Sequence, residues 1–236
     1  MISGIIKPEL KFLQPETGYR INIDTVILYG FVLPIAEGNV LEIGSACGAL
    51  TIMISKKPDT VFAAGVEINK ELYELSLKNQ ELNESKDKTA FINADINDYK
   101  KIFKPQSFDM VVVNPPFYVS GTGRLSKNET MAVAHHDQTL GLEDIIKASL
   151  YLLKPKGHLA MLFLTQRIGD VFLQLRGFKP GILRFVHRKQ TKPSDVFLLL
   201  AKKTGGKPLK VLPPLIVHDN NNYYTEEMKQ LLGLIQ

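Results

Sequence analysis

Phe108-Asp109-Met110-Val111-Val112-Val113-Asn114-Pro115-Pro116-Phe117 is the stretch that decides the fold class. Its first six residues form an apolar run with the length and branching of a buried strand. Pro115 and Pro116 end it: two successive prolines fix φ and remove two backbone donors, leaving a stiff segment that offers mainly carbonyl acceptors. In an α/β sheet, ligands bind beyond the carboxyl ends of the strands, and Asn114 stands at such an end. The Asn114 amide oxygen and the Pro115 carbonyl can accept both hydrogens of a planar exocyclic amine. Phe117 can lie flat against the ring that carries the amine, as aromatic side chains do with unstacked bases. Asn-Pro also occurs in ordinary turns, so this reading needs support from the rest of the chain.

That support comes from three more strand ends. Val40-Leu41-Glu42-Ile43 reads as a buried strand, followed by Gly44-Ser45-Ala46-Cys47-Gly48 and then Ala49-Leu50-Thr51-Ile52-Met53-Ile54, which can open a helix. Glycines at such a turn let backbone approach a ligand closely. Val61-Phe62-Ala63-Ala64-Gly65-Val66 ends in Glu67, a carboxylate placed to accept hydrogen bonds from ribose hydroxyls. Ala90-Phe91-Ile92-Asn93 leads to a second acid, Asp95. Either acid alone reads equally well as a solvated loop carboxylate; together, in register with strand ends, they point to a site.

Strands are expected near 39–43, 60–67, 88–93, 107–113, 157–164, 182–188 and 195–202. Helices are expected near 48–56, 69–84, 141–153 and 167–177, after a first helix that begins near Asp24, whose carboxylate can cap it, and runs through Phe31. This alternation implies α/β architecture: a doubly wound, seven-stranded, Rossmann-like sheet, mostly parallel. The short turn around Lys192-Pro193-Ser194 leaves no room for a helix, so the last strand should be antiparallel. No repeat or linker interrupts the chain, so residues 1–236 are expected to form one domain, with 1–38 as N-terminal segment and first helix and 204–236 as a tail.

The 236 residues can bury a full core, and 44% hydrophobic with 22% charged residues is ordinary for a globular protein. With no run of 18 apolar residues and no basic-then-apolar leader, the chain reads as soluble and cytoplasmic, with no membrane partner. The lone Cys47 has no internal disulfide partner and reads as small filler. His135-His136-Asp137 lacks the Cys/His set of a metal site, so no metal is expected. The net charge of +5 hides an asymmetry: Lys154 to Lys210 holds 13 Lys or Arg against Asp170 and Asp195, +11 in this block and −6 elsewhere. An imbalance of this size suggests a face for phosphates, with Arg184, Arg188, Lys189 and Lys192 as its candidate RNA contacts. The aperiodic segment between Pro115 and Gly141 is long enough to be functional and reads as a lid over the substrate.

A nicotinamide dinucleotide site would need Gly-x-Gly-x-x-Gly, but Ala46 stands at the middle position and Ala49 follows Gly48; that scheme also leaves Asn114-Pro115-Pro116-Phe117 without a role. The set instead resembles the class I S-adenosylmethionine-dependent methyltransferases, specifically amino-group methylators with an Asn-Pro-Pro-aromatic motif. The resemblance implies S-adenosylmethionine as cofactor, with Gly44, Ser45 and Gly48 cradling its methionine part. It implies Glu67 on the ribose, Asp95 on the adenine amine and Ile68 and Ile96 on either side of the adenine ring. Asp24, Thr25, Glu42, Leu50 and Asn114 complete the implied cofactor shell, and Asn114, Pro115, Pro116 and Phe117 the catalytic segment.

A narrower resemblance covers nearly the whole chain. Gln14-Pro15-Glu16-Thr17-Gly18-Tyr19-Arg20-Ile21-Asn22-Ile23-Asp24-Thr25 and Leu209-Lys210-Val211-Leu212-Pro213-Pro214-Leu215-Ile216-Val217 are similar to segments of the bacterial tRNA (adenine-N6)-methyltransferases that act on the adenosine 3′ of the anticodon in a valine tRNA. This implies tRNA as partner. Departures are Ala46 in place of the usual loop glycine and His135 where relatives often carry arginine. Two other methyltransferase classes use related motifs. Protein glutamine-N5 methyltransferases generally carry a helical domain before the first strand, whereas 39 residues precede Val40 here; rRNA guanine-N2 methyltransferases stay the nearer alternative. A cofactor- and RNA-binding protein without catalysis is the non-enzyme alternative.

Overall fold

A computed structural model describes residues 2–3, 9–17, 19–115 and 140–234. Pro116, Phe117, the expected lid and His135-His136-Asp137 lie outside the described residues.

The central strands are mostly apolar along their inner stretches because both faces of the sheet are covered, so successive side chains alternate between two cores. The strands concerned are β3 (Gly38–Ile43), β6 (Phe108–Val113), β7 (Leu153–Leu164) and β9 (Ser194–Lys203). Val40, Val112, Leu162 and Leu198 face one core, against Ile27 and Leu28 of α1 (Ile23–Val32) and Ile52 and Met53 of α2 (Ala49–Ser55). Leu41, Val111, Met161 and Leu199 face the other, against Ile145 and Ile146 of a helix at Leu142–Leu152. Each fully buried Leu or Ile contributes on the order of 1.5–3 kcal/mol.

The remaining elements are β4 (Thr60–Glu67), α3 (Lys70–Leu82), β5 (Thr89–Asn93), α4 (Tyr99–Ile102), a second-face pair of helices α5 (Leu142–Leu152) and α6 (Ile168–Gln174), and β8 (Phe178–Lys189). Two short strands, β1 (Ile2–Ser3) and β2 (Phe12–Leu13), pair with each other apart from the main sheet. The main sheet runs β8-β9-β7-β6-β3-β4-β5, with β9 antiparallel to both neighbours and β3 through β7 parallel. From β3 the chain winds outward through β4 and β5, then returns to place β6 on the other flank of β3. The crevice beyond the ends of β3 and β6 is therefore the topological switch point where such sheets bind ligands.

Three expectations are corrected. The sheet has nine strands rather than seven, because β10 (Lys210–Val211) and β11 (Leu215–His218) pair in parallel with the outer edge of β8. The expected tail is thus sheet edge, followed by α7 (Glu226–Leu231). Helix α1 is capped by Asn22, not Asp24: the extended Asn22 accepts the Thr25 amide at 3.2 Å, while Asp24 already lies inside the first turn. Strand β7 begins at Leu153, opposite Phe108, with Lys154 reaching Asp109 at 2.8 Å across the register shift that follows.

Candidate active site

Register brings the expected residues to one edge. Val113 lies opposite Ile43, Ile43 opposite Val66, and Glu67 opposite Asn93. Asn114, Gly44, Glu67 and Asp95 therefore follow four adjacent strand ends. At roughly 4.8 Å per strand spacing, the row spans about 14 Å, enough for a nucleoside carrying an amino-acid arm. Asn114 is half-buried and Pro115 buried.

The loop after β3 is built on Glu67. One carboxylate oxygen accepts the Ala46 amide and the other the Asn69 amide, both at 2.8 Å, so the side chain braces the loop and the turn into α3 together. The Gly44 and Ser45 amides donate to the Val66 carbonyl at 2.9 and 3.0 Å. Gly44 adopts φ +75°, and a Cβ there would meet nothing within 4 Å, so this flank of the loop faces open space. Gly48 is required by local packing in its own right. It caps α2 at φ +81°, and a Cβ would fall 2.6 Å from the Phe91 ring. Ala46 holds φ +47°, a left-handed conformation that costs a non-glycine residue about 1–2 kcal/mol.

Ser45 and Glu42 sit beneath the loop. The Ser45 side chain packs into the space left by Gly65, and its buried hydroxyl has no hydrogen-bond partner among the described residues. Glu42 is 5% exposed; its carboxyl accepts the Thr51 amide at 2.9 Å and the Thr51 hydroxyl, tying β3 to the first turn of α2. Burial pushes its pKa up to about 8, against the opposing Thr51 bonds, so Glu42 is held neutral at pH 7. Leu50 is buried behind the same turn. Burial also drives the Cys47 thiol to about 12, which leaves it an inert filler.

At the distal end, Asp95 caps a single 3-10 turn, accepting the Asn97 amide at 2.8 Å. Asn93 donates to the Glu67 and Ile68 carbonyls and fixes the turn between them. Ile68 is 49% exposed, unusual for its type, and available to a flat ring; Ile96 is 5% exposed and belongs mainly to the core. Thr25 is buried and Asp24 half-buried at the start of α1. Burial raises the Asp24 pKa, with Arg188 opposing and Asp195 reinforcing that shift.

Three residues escaped the sequence reading. Asn79, fully buried on α3, bonds the Leu13 amide and carbonyl at 2.7 and 3.0 Å and the Cys47 carbonyl at 2.9 Å, fastening the N-terminal segment to the loop. Asn83 repeats the device on the Lys11 amide and carbonyl. Their one sequence signal is a pair of asparagines one helical turn apart. Tyr19 is the third: burial of its hydroxyl raises the pKa above the usual value, a bond with Thr25 opposes that shift, and the residue as a whole remains 38% exposed.

The four candidate RNA cations separate. Arg184 is spent on its own chain: it pairs with Glu227 at 2.7 and 2.8 Å and donates to the Pro213 carbonyl at 3.0 Å. Arg188 pairs with Asp195 at 2.9 Å on the surface. Lys189 and exposed Lys192 lie at the β8–β9 turn, at the same end of the sheet as Asn114, because β8 runs parallel to β7.

The open flank of Gly44, the two carboxylates and exposed Ile68 fit S-adenosylmethionine, an extended zwitterion with a ribose and a flat base. Among the described residues, no group of three or more His, Cys, Asp or Glu is placed to hold a metal, and no helix is long and apolar enough to cross a membrane. A tRNA1(Val) (adenine(37)-N6)-methyltransferase of Porphyromonas gingivalis W83 is 26% identical over 92% of this chain and 89% of the relative. One from Christiangramia forsetii is 25% identical over 93% and 91%. Among solved structures, a predicted O-methyltransferase of Agrobacterium tumefaciens superposes with a TM-score of 0.70 at 17% identity, covering 89% of this chain and 95% of that one. A ribosomal protein L11 methylase from Lactobacillus delbrueckii subsp. bulgaricus superposes at 0.57 and 15%, covering 82% and 84%. At such identities the solved structures speak for the fold alone. The profile of the methyltransferase small domain matches residues 20–169, a span that takes in every strand end of the crevice. This chain belongs to that family and is an S-adenosylmethionine-dependent methyltransferase.

Proposed function

We propose that the protein methylates the exocyclic N6 amine of an adenosine in tRNA. The observation that carries the reading is the register of β6 against β3, which sets Asn114 and Pro115 beside the open flank of Gly44 at the switch point. The two relatives above, which span about nine-tenths of this chain and of themselves, carry a name with that activity. Lys189 and Lys192 at the same end of the sheet suit the phosphates flanking a base drawn into the crevice.

The adenine amine is a weak nucleophile because its lone pair is delocalised into the ring. Acceptors at the Asn114 Oδ1 and the Pro115 carbonyl hold its two hydrogens out of the ring plane and localise that pair. As the N–CH3 bond forms the S–CH3 bond would break, leaving a neutral thioether, and the displaced N–H proton, already bonded to one of these acceptors, would pass to water. Bound S-adenosylmethionine supplies an electrophilic methyl group on a sulfonium. Glu67 and Asp95 fix the ribose and base of that molecule, and the buried floor of Glu42, Cys47 and Leu50 keeps water from beneath it. Extrusion of the target base is cheapest from a loop, and positioning with electrostatics carries most of the rate.

Single-turnover methylation of tRNA with nucleosides identified by mass tests the reading. Asn114→Ala should slow turnover by about 10²–10³, as loss of one preorganised transition-state hydrogen bond does, with cofactor affinity unchanged. Near-normal turnover, or a methyl group on guanine N2 or on a protein glutamine, would overturn it.

A further inference from the structure

A cavity of about 730 Å³ lies at the opposite end of the sheet from the crevice, lined by His158, Lys179, Lys202, Lys207 and Lys210. The lysines of the basic block divide by what they touch. Lys154 is paired with Asp109, and Lys203 donates to the Leu150 and Leu153 carbonyls at 2.6 and 2.7 Å, closing the end of α5. The four lysines of the cavity differ: among the described residues, none makes an ion pair with a carboxylate.

Their placement is unfavourable in the free protein. Lys179 of β8 stands directly opposite Lys202 of β9, and His158 of β7 directly opposite Lys202 on its other side. Like charges facing one another across a ladder destabilise it. Lys207, before β10, and Lys210, its first residue, then add two more positive charges. Burial first, and Lys202 second, hold the His158 imidazole below its usual pKa, which marks the positive potential of the place; Glu37 opposes them weakly. Four unneutralised ammonium groups around one hollow fit several phosphate oxygens better than a single carboxylate.

We propose that this groove binds backbone phosphates of the RNA substrate at a second anchorage, remote from the reacting base. The inference rests on the RNA reading above. Along β7, His158 lies six residues from Leu164 at the crevice end, roughly 20 Å at about 3.3 Å per residue. Several nucleotides of chain cover that distance, so one RNA can reach both ends of the sheet. The crevice would select the base, and the groove would add affinity without reading sequence.

The test is a triple variant, Lys202→Gln, Lys207→Gln and Lys210→Gln, of the full chain, titrated with a tRNA transcript over a salt series. The slope of log affinity against log salt should fall by about 2, the release expected for three lost phosphate contacts on a flexible strand. KM for the transcript should rise about tenfold or more, with kcat at saturating RNA and S-adenosylmethionine affinity unchanged. The thermal midpoint should hold or rise, because a facing like-charge pair is removed. An unchanged slope with intact parental RNA binding overturns the groove and leaves the adenine reading standing. Micromolar binding of inorganic pyrophosphate, lost in the variant while the RNA slope is kept, overturns it in favour of a small anion. A parent protein that binds no RNA overturns both.

Discussion

Replacing Glu42 by Gln should leave the protein nearly as stable as the parent at pH 6 and make it clearly the more stable of the two at pH 9. Glu42 is 5% exposed, and burial lifts its pKa from 4.5 to about 8 despite two hydrogen bonds from Thr51 that favour the charged form; nearby Glu67 adds a little to the rise. The folded protein therefore holds one proton more than the unfolded chain between pH 4.5 and about 8. Its stability falls with rising pH across that window, by about 1.4 kcal/mol per unit, and levels off above it. From pH 6 to 8 the loss amounts to about 2.3 kcal/mol. Glu42→Gln titrates nothing there, and its amide oxygen can still accept from Thr51. Urea unfolding of both proteins at pH 6, 7, 8 and 9 measures the difference directly, since other titrating groups, such as Asp24 and His158, are common to both and cancel. A difference that stays flat across that range would mean Glu42 is already ionised, and would refute the account of the buried floor.

Glu67→Gln should weaken S-adenosylmethionine binding by about 1.5–3 kcal/mol and also lower the thermal midpoint, because the Ala46 and Asn69 amides each need a carboxylate oxygen; unchanged calorimetric affinity in a folded variant would reject the assignment. Ala46→Gly should stabilise the protein by up to about 1 kcal/mol, relief of the left-handed φ outweighing the entropy gained by the unfolded chain, and denaturant midpoints check this. Arg184→Ala should cost about 1–2 kcal/mol of stability and leave the salt dependence of RNA binding unaltered, because its guanidinium is committed to Glu227 and Pro213. Lys189→Ala with Lys192→Ala should do the reverse, lowering the salt slope by roughly 0.7–0.9 per contact at constant stability.

The positions of the central strands were legible because a strand buried on both faces writes an uninterrupted apolar run, as in Met110-Val111-Val112-Val113. Strand ends were legible for the same reason, and with them Gly44, Glu67, Asp95 and Asn114. What each residue does at its strand end was less so. Gly48 also has to clear the Phe91 ring, and nothing near Gly48 in sequence announces that neighbour. The partner of Arg184 lies 43 residues away, so its pairing with Glu227 could not be read from the neighbouring sequence. The basic block was visible as a total, but only the antiparallel register of β9 reveals that its lysines go to opposite ends of the sheet. Strands β10 and β11 were hidden by Pro213 and Pro214, which read as breakers.

Those two prolines have a consequence for how the protein behaves in a crowded cell. Strand β8 would be a long free edge, an invitation to any extended chain with unpaired amides. The last strands cover it in two short pieces, with Leu212-Pro213-Pro214 between them. A new outer boundary is created, but it is broken: at Pro213 and Pro214 it has no amide hydrogens to offer, and each piece is too short to template a neighbour. At this edge, unlike the outer side of β5, the chain thereby leaves no continuous row of amides on which a second copy could extend the sheet.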